Sequence, residues 1–90
     1  MDETNINYDE ILEELTLLML YLTSFKDKRM FKGEDTLRAW KGYPFEFLNA
    51  LESKEFIIQS RRAKSVVITD EGVEKAEKIK EKYLKFWKDY

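Results

Sequence analysis

The chain has 90 residues, 43% of them hydrophobic and 14% aromatic, with three glycines, one proline and a formal net charge of −2. That length accommodates one domain, residues 1–90, around one core, and the composition argues against intrinsic disorder. Cysteine and histidine are both absent, which removes thiolate nucleophiles, imidazole bases, disulfides and every zinc site built on sulfur or nitrogen.

Residues 1–6 are expected to be flexible, and the first element starts near Tyr8. Apolar residues recur at 8, 11, 12, 15, 18, 19, 22 and 25, the stripe of an amphipathic helix, about 140° wide. The opposite face changes character along its length. Asp9, Glu10, Glu13 and Glu14, well placed for the positive end of the helix dipole, give way to Leu17, Leu20 and Tyr21. The second half of this helix is therefore apolar all round and must be covered on two sides.

A charged connection with Gly33 and Gly42 as its breakers comes next. Its segment 34–42 fits either a short helix capped by Asp35 or a short strand, with Trp40 in the core in either case. Pro44 suits the first position of a helix over "PFEFLNALESKE". There Phe47, Leu48 and Leu51 form the buried arc, while Phe45, Glu46, Asn49, Glu52 and Ser53 point elsewhere. "FIIQS" and "SVVIT" read as two strands of a hairpin, with Arg61, Arg62, Ala63 and Lys64 at its tip. The tip lacks Gly, Asn and Asp, so a loop of about four residues around a type I turn is expected. Thr69 is a good N-cap for a last helix with Asp70 and Glu71 in its first turn. Its apolar arc runs through Val73, Ala76, Ile79, Tyr83, Leu84, Phe86, Trp87 and Tyr90, with Lys80 inside the arc as a snorkelling stem.

The order of these elements is that of an α+β, winged helix-turn-helix-like fold: long N-terminal helix, short or degenerate second element, recognition-type helix, two-stranded β-hairpin wing, long C-terminal helix. "FLNALESKEFI" resembles the end of the recognition helix of winged-helix repressors. "VVITDEGVEKA" is similar to the strand-to-helix exit of their antibiotic-resistance and phenolic-acid types, with Thr69 and Gly72 in the expected places. A closer resemblance joins "RAWKGY" (38–43) to "AKSVVITDEG" (63–72). It is to a family of small bacterial proteins of unknown function, with a Trp-Lys-Gly step and a Lys-Ser-Val-Val strand leading into a Thr-acid-Glu-Gly turn. Pro44 and a long basic loop before Arg38 depart from that pattern. The resemblance implies a fold and no activity.

Carboxylates and lysines are what remains for chemistry, and a carboxylate pair works as acid and base only in a pocket that separates the two pKa values. A chain this small is expected to build no such pocket, so a non-enzymatic protein is expected, without cofactor, metal or small-molecule substrate. The longest apolar run, Leu17 to Leu22, is too short to cross a bilayer, and the acidic N-terminus is the reverse of a secretory signal; a cytoplasmic protein is expected.

Two partners come into question. Along the chain, residues 1–25 carry six acids and no base, whereas 26–41 and 61–64 each carry a net +3. Arg61, Arg62 and Lys64 at the wing tip are the candidate DNA contacts, with Asn49 on the preceding helix as a candidate reader of adenine. Lys26, Lys28, Arg29 and Lys32 form a second basic cluster. Glu46 and Glu52 on the same helix work against a phosphate backbone, which leaves weak DNA binding, or a protein partner on a fold that has abandoned DNA. The second partner is another copy of the chain. Leu17, Leu20 and Tyr21, with Phe86, Trp87 and Tyr90, are the candidate faces of a homodimer.

Overall fold

The computed structural model describes residues 7–27 and 36–88, which form three helices and a four-stranded antiparallel sheet. In chain order these are α1 (Tyr8–Leu22), β1 (Phe25–Asp27), β2 (Thr36–Trp40), α2 (Phe45–Ser53), β3 (Ile57–Gln59), β4 (Ser65–Ile68) and α3 (Asp70–Lys88). The strands lie in the order β1-β2-β4-β3. Within the ambiguous segment 34–42, residues 36–40 form strand β2. It pairs Arg38 with Val67, Ala39 with Val66 and Trp40 with Ser65, so the central strand β4 has two partners to satisfy its backbone. Among the described residues no helix lies between α1 and α2, and the paired helices of a helix-turn-helix are not present there.

Strand alternation sorts the sheet into two faces. Ala39, Ile57, Val66 and Ile68 point to the helices and are buried. Trp40 and Ile58 point the other way and keep 62% and 56% of their surface in solvent. Trp40 is thus not a core residue, contrary to expectation. A strand fixes its parity opposite to the buried Ala39, and it stacks instead on Phe25 of β1, ring centroids 5.1 Å apart. On that outer face Arg38 Nε donates to Ser65 Oγ at 2.9 Å, which accounts for a buried serine there.

The core is made by Leu17, Leu18 and Leu20 of α1, Leu48 and Leu51 of α2, Ala76 and Ile79 of α3, and the inner sheet face. The α1 reading is corrected here. Leu17 and Leu20, assigned to a dimer face, are 1% and 0% exposed within one chain. The stripe at Tyr8, Ile11, Leu12, Met19 and Leu22 faces solvent instead. Both faces of the helix are apolar, and α2, α3 and the inner sheet face cover the one that also carries Glu13 and Glu14, whose carboxylates meet lysines at its edge. Lys54 Nζ lies 2.8 Å from Glu13, and Lys75 and Lys82 lie 3.8 and 3.5 Å from the two oxygens of Glu14.

Local signals set most boundaries. The Asn7 side chain accepts from Glu10 N at 3.1 Å and starts α1. Pro44 is the N-cap of α2, one position before the expected one, and its carbonyl accepts from Phe47 N and Leu48 N. α2 stops in a Schellman arrangement: Phe56 N donates to Leu51 O at 3.0 Å and Glu55 N to Glu52 O at 2.9 Å, with Glu55 in the left-handed region at φ 65°. Thr69 Oγ1 accepts from Gly72 N at 3.0 Å, the expected cap of α3, and donates to Glu55 O at 2.6 Å. A methyl group on Gly72 would lie 2.0 Å from Phe56 O, so only glycine lets the first turn of α3 sit on the α2–β3 turn.

Candidate nucleic-acid interface

The hairpin β3–β4 turns over Ser60 to Lys64, with Ala63 N donating to Ser60 O at 3.3 Å, a four-residue turn of the kind the absence of Gly and Asn predicts. Two bonds from Lys41 brace this tip. Its backbone N–H donates to Lys64 O at 2.9 Å, prolonging the β2–β4 ladder, and its ammonium donates to Ser60 O at 2.9 Å. Arg61, Arg62 and Lys64 are exposed, and among the described residues none of them pairs with an acid. Lys54, Lys75, Lys78, Lys80 and Lys82, by contrast, each lie within 4.0 Å of a glutamate oxygen. Among the described residues, the hairpin tip thus gathers three cations that meet no acid.

Between the tip and α2 runs an open groove lined by Lys41, Phe45, Asn49, Glu52, Arg61 and Lys64. Gln59, at the end of β3, ties its floor to α2. Its backbone N–H donates to Glu52 Oε2 at 2.9 Å, and its amide donates to Asn49 Oδ1 at 3.0 Å and Glu52 Oε1 at 3.2 Å. Glu52 is consequently turned onto the hairpin, while Glu46 stays exposed. The acceptor that Asn49 would show to an adenine amino group is already engaged. Phe45, 72% exposed at the first turn of α2, stands at the mouth of the groove.

Three of the expected site residues, Asn49, Arg61 and Lys64, thus line one groove, and Arg62 is exposed on the turn between the last two. Lys41 and Gln59 were not anticipated. Gln59 was legible in principle: alternation from the buried Ile57 points it inward, under α2, where an amide must find polar partners. The basic cluster at Lys28, Arg29 and Lys32 lies outside the described residues.

The expected dimer residues are dispersed. Leu17 and Leu20 are in the core, and Tyr21 joins α1 to α3, its hydroxyl donating to the Glu77 carboxylate. Lys80, 3.0 Å from Glu77, also lies over the Tyr21 ring at 5.8 Å from its centroid, so the snorkelling lysine of the apolar arc has a specific seat. The Tyr21 hydrogen bond, then Lys80, hold the Glu77 carboxyl below its usual range. The same bond raises the Tyr21 hydroxyl, and Glu77 raises Lys80. The side chains of Phe86 and Trp87, and all of Tyr90, lie outside what the structure describes.

Among the described residues there is no group of three or more acids that could hold a metal ion, and no helix long and apolar enough to cross a membrane. The pocket between α1 and α3 contains Glu10, Glu13 and Glu14, but Lys54 and Lys75 in its lining meet the last two. Compared with known proteins, residues 8–86 match the model of one family, a domain of unknown function (DUF6429). The match reaches the coarser resemblance, an uncharacterised family, and not the likeness to winged-helix repressors. No curated protein and no solved structure matches the chain.

Proposed function

The chain belongs to this family of unknown function, DUF6429, and from that premise we propose that it is a non-enzymatic, winged-helix-type module that contacts nucleic-acid phosphates weakly through its wing. In this reading β3–β4 is the wing and α2 stands where a recognition helix would. The observation that carries it is the unpaired cluster of Arg61, Arg62 and Lys64 on a braced tip, whereas Lys54, Lys75, Lys78, Lys80 and Lys82 each lie beside a glutamate of the same chain. Gln59 fixes the Glu52 carboxylate against the hairpin, but its charge stays in the groove and, with Glu46, keeps the contact weak. With Asn49 also engaged, the contact is to phosphates and carries little sequence preference.

Titration of a labelled duplex at about 50 and about 200 mM salt tests this reading. Three phosphate contacts predict an affinity that drops about 40-fold between the two. Replacing Arg61, Arg62 and Lys64 together by Glu should abolish binding at the lower salt. A chain that binds no duplex there, or a triple variant that binds as well as the parent, ends the reading.

One observation favours a second reading. Phe45 is a large exposed aromatic beside Glu46 on α2, a combination better suited to a protein surface than to DNA. A protein partner that co-purifies and is lost on Phe45→Ala or Asn49→Ala supports it; tight, sequence-selective duplex binding rules it out.

A further inference from the structure

Along the outward face of α1 the described residues leave a row of large apolar side chains in solvent. Tyr8, Leu12, Leu15, Met19 and Leu22 follow spacings of four, three, four and three, with Ile11 beside them. This alternation is the heptad seam of a helix that packs along another helix. Tyr8, Ile11, Leu12, Met19 and Leu22 keep 63, 41, 43, 46 and 57% of their surface in solvent. Together they expose about 500 Å² of surface, most of it apolar, within the range of the largest patch on a soluble monomer. No charge lies within the stripe. Glu13 and Glu14 project to the other side and are paired with lysines of the same chain.

We propose that this stripe is the contact between two copies of the chain, packed antiparallel about a two-fold axis at Leu15. Area and charge favour a second copy over other occupants. Two such stripes face to face can remove up to about 1,000 Å² from water, the size of a weak, concentration-dependent interface. A seam with no charge offers nothing to a charged partner and is complementary to itself, as an isologous interface requires. Charge also sets the orientation. A parallel pair would bring the acidic first turns, with Asp9 and Glu10, side by side and align the helix dipoles; an antiparallel pair holds those turns about 20 Å apart and opposes the dipoles. Antiparallel register sets Tyr8 against Leu22 of the partner copy, Ile11 against Met19, and Leu15 against Leu15. The proposal does not depend on the wing or on nucleic acid.

Sedimentation equilibrium of the full chain across the micromolar range is the test. The mass should rise toward twice 10.9 kDa with concentration. Leu12→Lys with Met19→Lys should return it to a monomer with an unchanged circular dichroism spectrum, because both side chains are already half exposed. Trp40→Lys, on the outer face of the sheet, should leave the dimer intact. The chain has no cysteine, so cross-linking reads the geometry even if a lysine variant folds poorly. Under mild oxidation Leu15→Cys should give a covalent dimer, as should the double variant Tyr8→Cys with Leu22→Cys, whereas Tyr8→Cys alone should not. A parent chain that stays monomeric, a dimer that survives the paired lysines, or ready cross-linking of Tyr8→Cys alone overturns the proposal.

Discussion

The junction from α2 to α3 and the helix α1 use burial in opposite ways. At the junction the backbone is held by named bonds: Phe56 to Leu51, Thr69 to Phe56, and the Thr69 hydroxyl bridging Glu55 and Gly72. There is one way to assemble it, and Gly72 has no room for a methyl group. In α1 two apolar faces compete for one core, and the elements packed against the helix cover one and leave the other in solvent. The contrast separates a region defined by backbone geometry, where single atoms matter, from one defined by which surfaces meet, where a whole face can be buried or left to a partner.

Experiments can break this contrast, beginning with the largest effect. Gly72→Ala should destabilise the fold by about 3 kcal/mol, since the added carbon meets backbone and not a movable side chain, as read from urea midpoints. The two faces of α1 should then separate cleanly. Leu20→Ala, at a fully buried site, should cost about 3 kcal/mol, whereas the adjacent Met19→Ala should change the stability of the isolated chain by less than about 0.5 kcal/mol. Equal costs for the two would mean that the core face is misassigned. Glu55→Gly should stabilise by about 0.5 to 1 kcal/mol, by placing the residue that tolerates positive φ at the end of α2.

The smallest effect concerns pH. The Tyr21 hydroxyl and Lys80 hold the Glu77 carboxyl below its unfolded value, so this group contributes stability above the unfolded pKa that is lost as pH falls through the folded one. Tyr21→Phe should move the Glu77 titration, followed by carboxyl-carbon NMR, toward the ordinary carboxylate range. It should also make the acid limb of the stability profile shallower. An unmoved Glu77 titration would show that Tyr21 is not what depresses it.

Much of the domain was written in local sequence. Thr69 announced the start of α3, Leu48 and Leu51 the inner arc of α2, and the β-branched runs the hairpin, because caps, helix periodicity and strand propensity act over a few neighbouring residues. Arg61, Arg62 and Lys64 were identifiable as an exposed tip for the same reason: a turn between two strands has to reach solvent. What stood undecided or misread depended on residues far away in the chain. Residues 36–40 became a strand because β4 offered an unpaired edge, and that pairing turned Trp40 outward. The start of α1 was settled by its own residues, but which of its apolar faces became core was settled by α2 and α3, whose Leu48, Leu51, Ala76 and Ile79 share one cluster with Leu17 and Leu20. Periodicity counts the faces of a helix; only the elements packed against it decide which of them is inside.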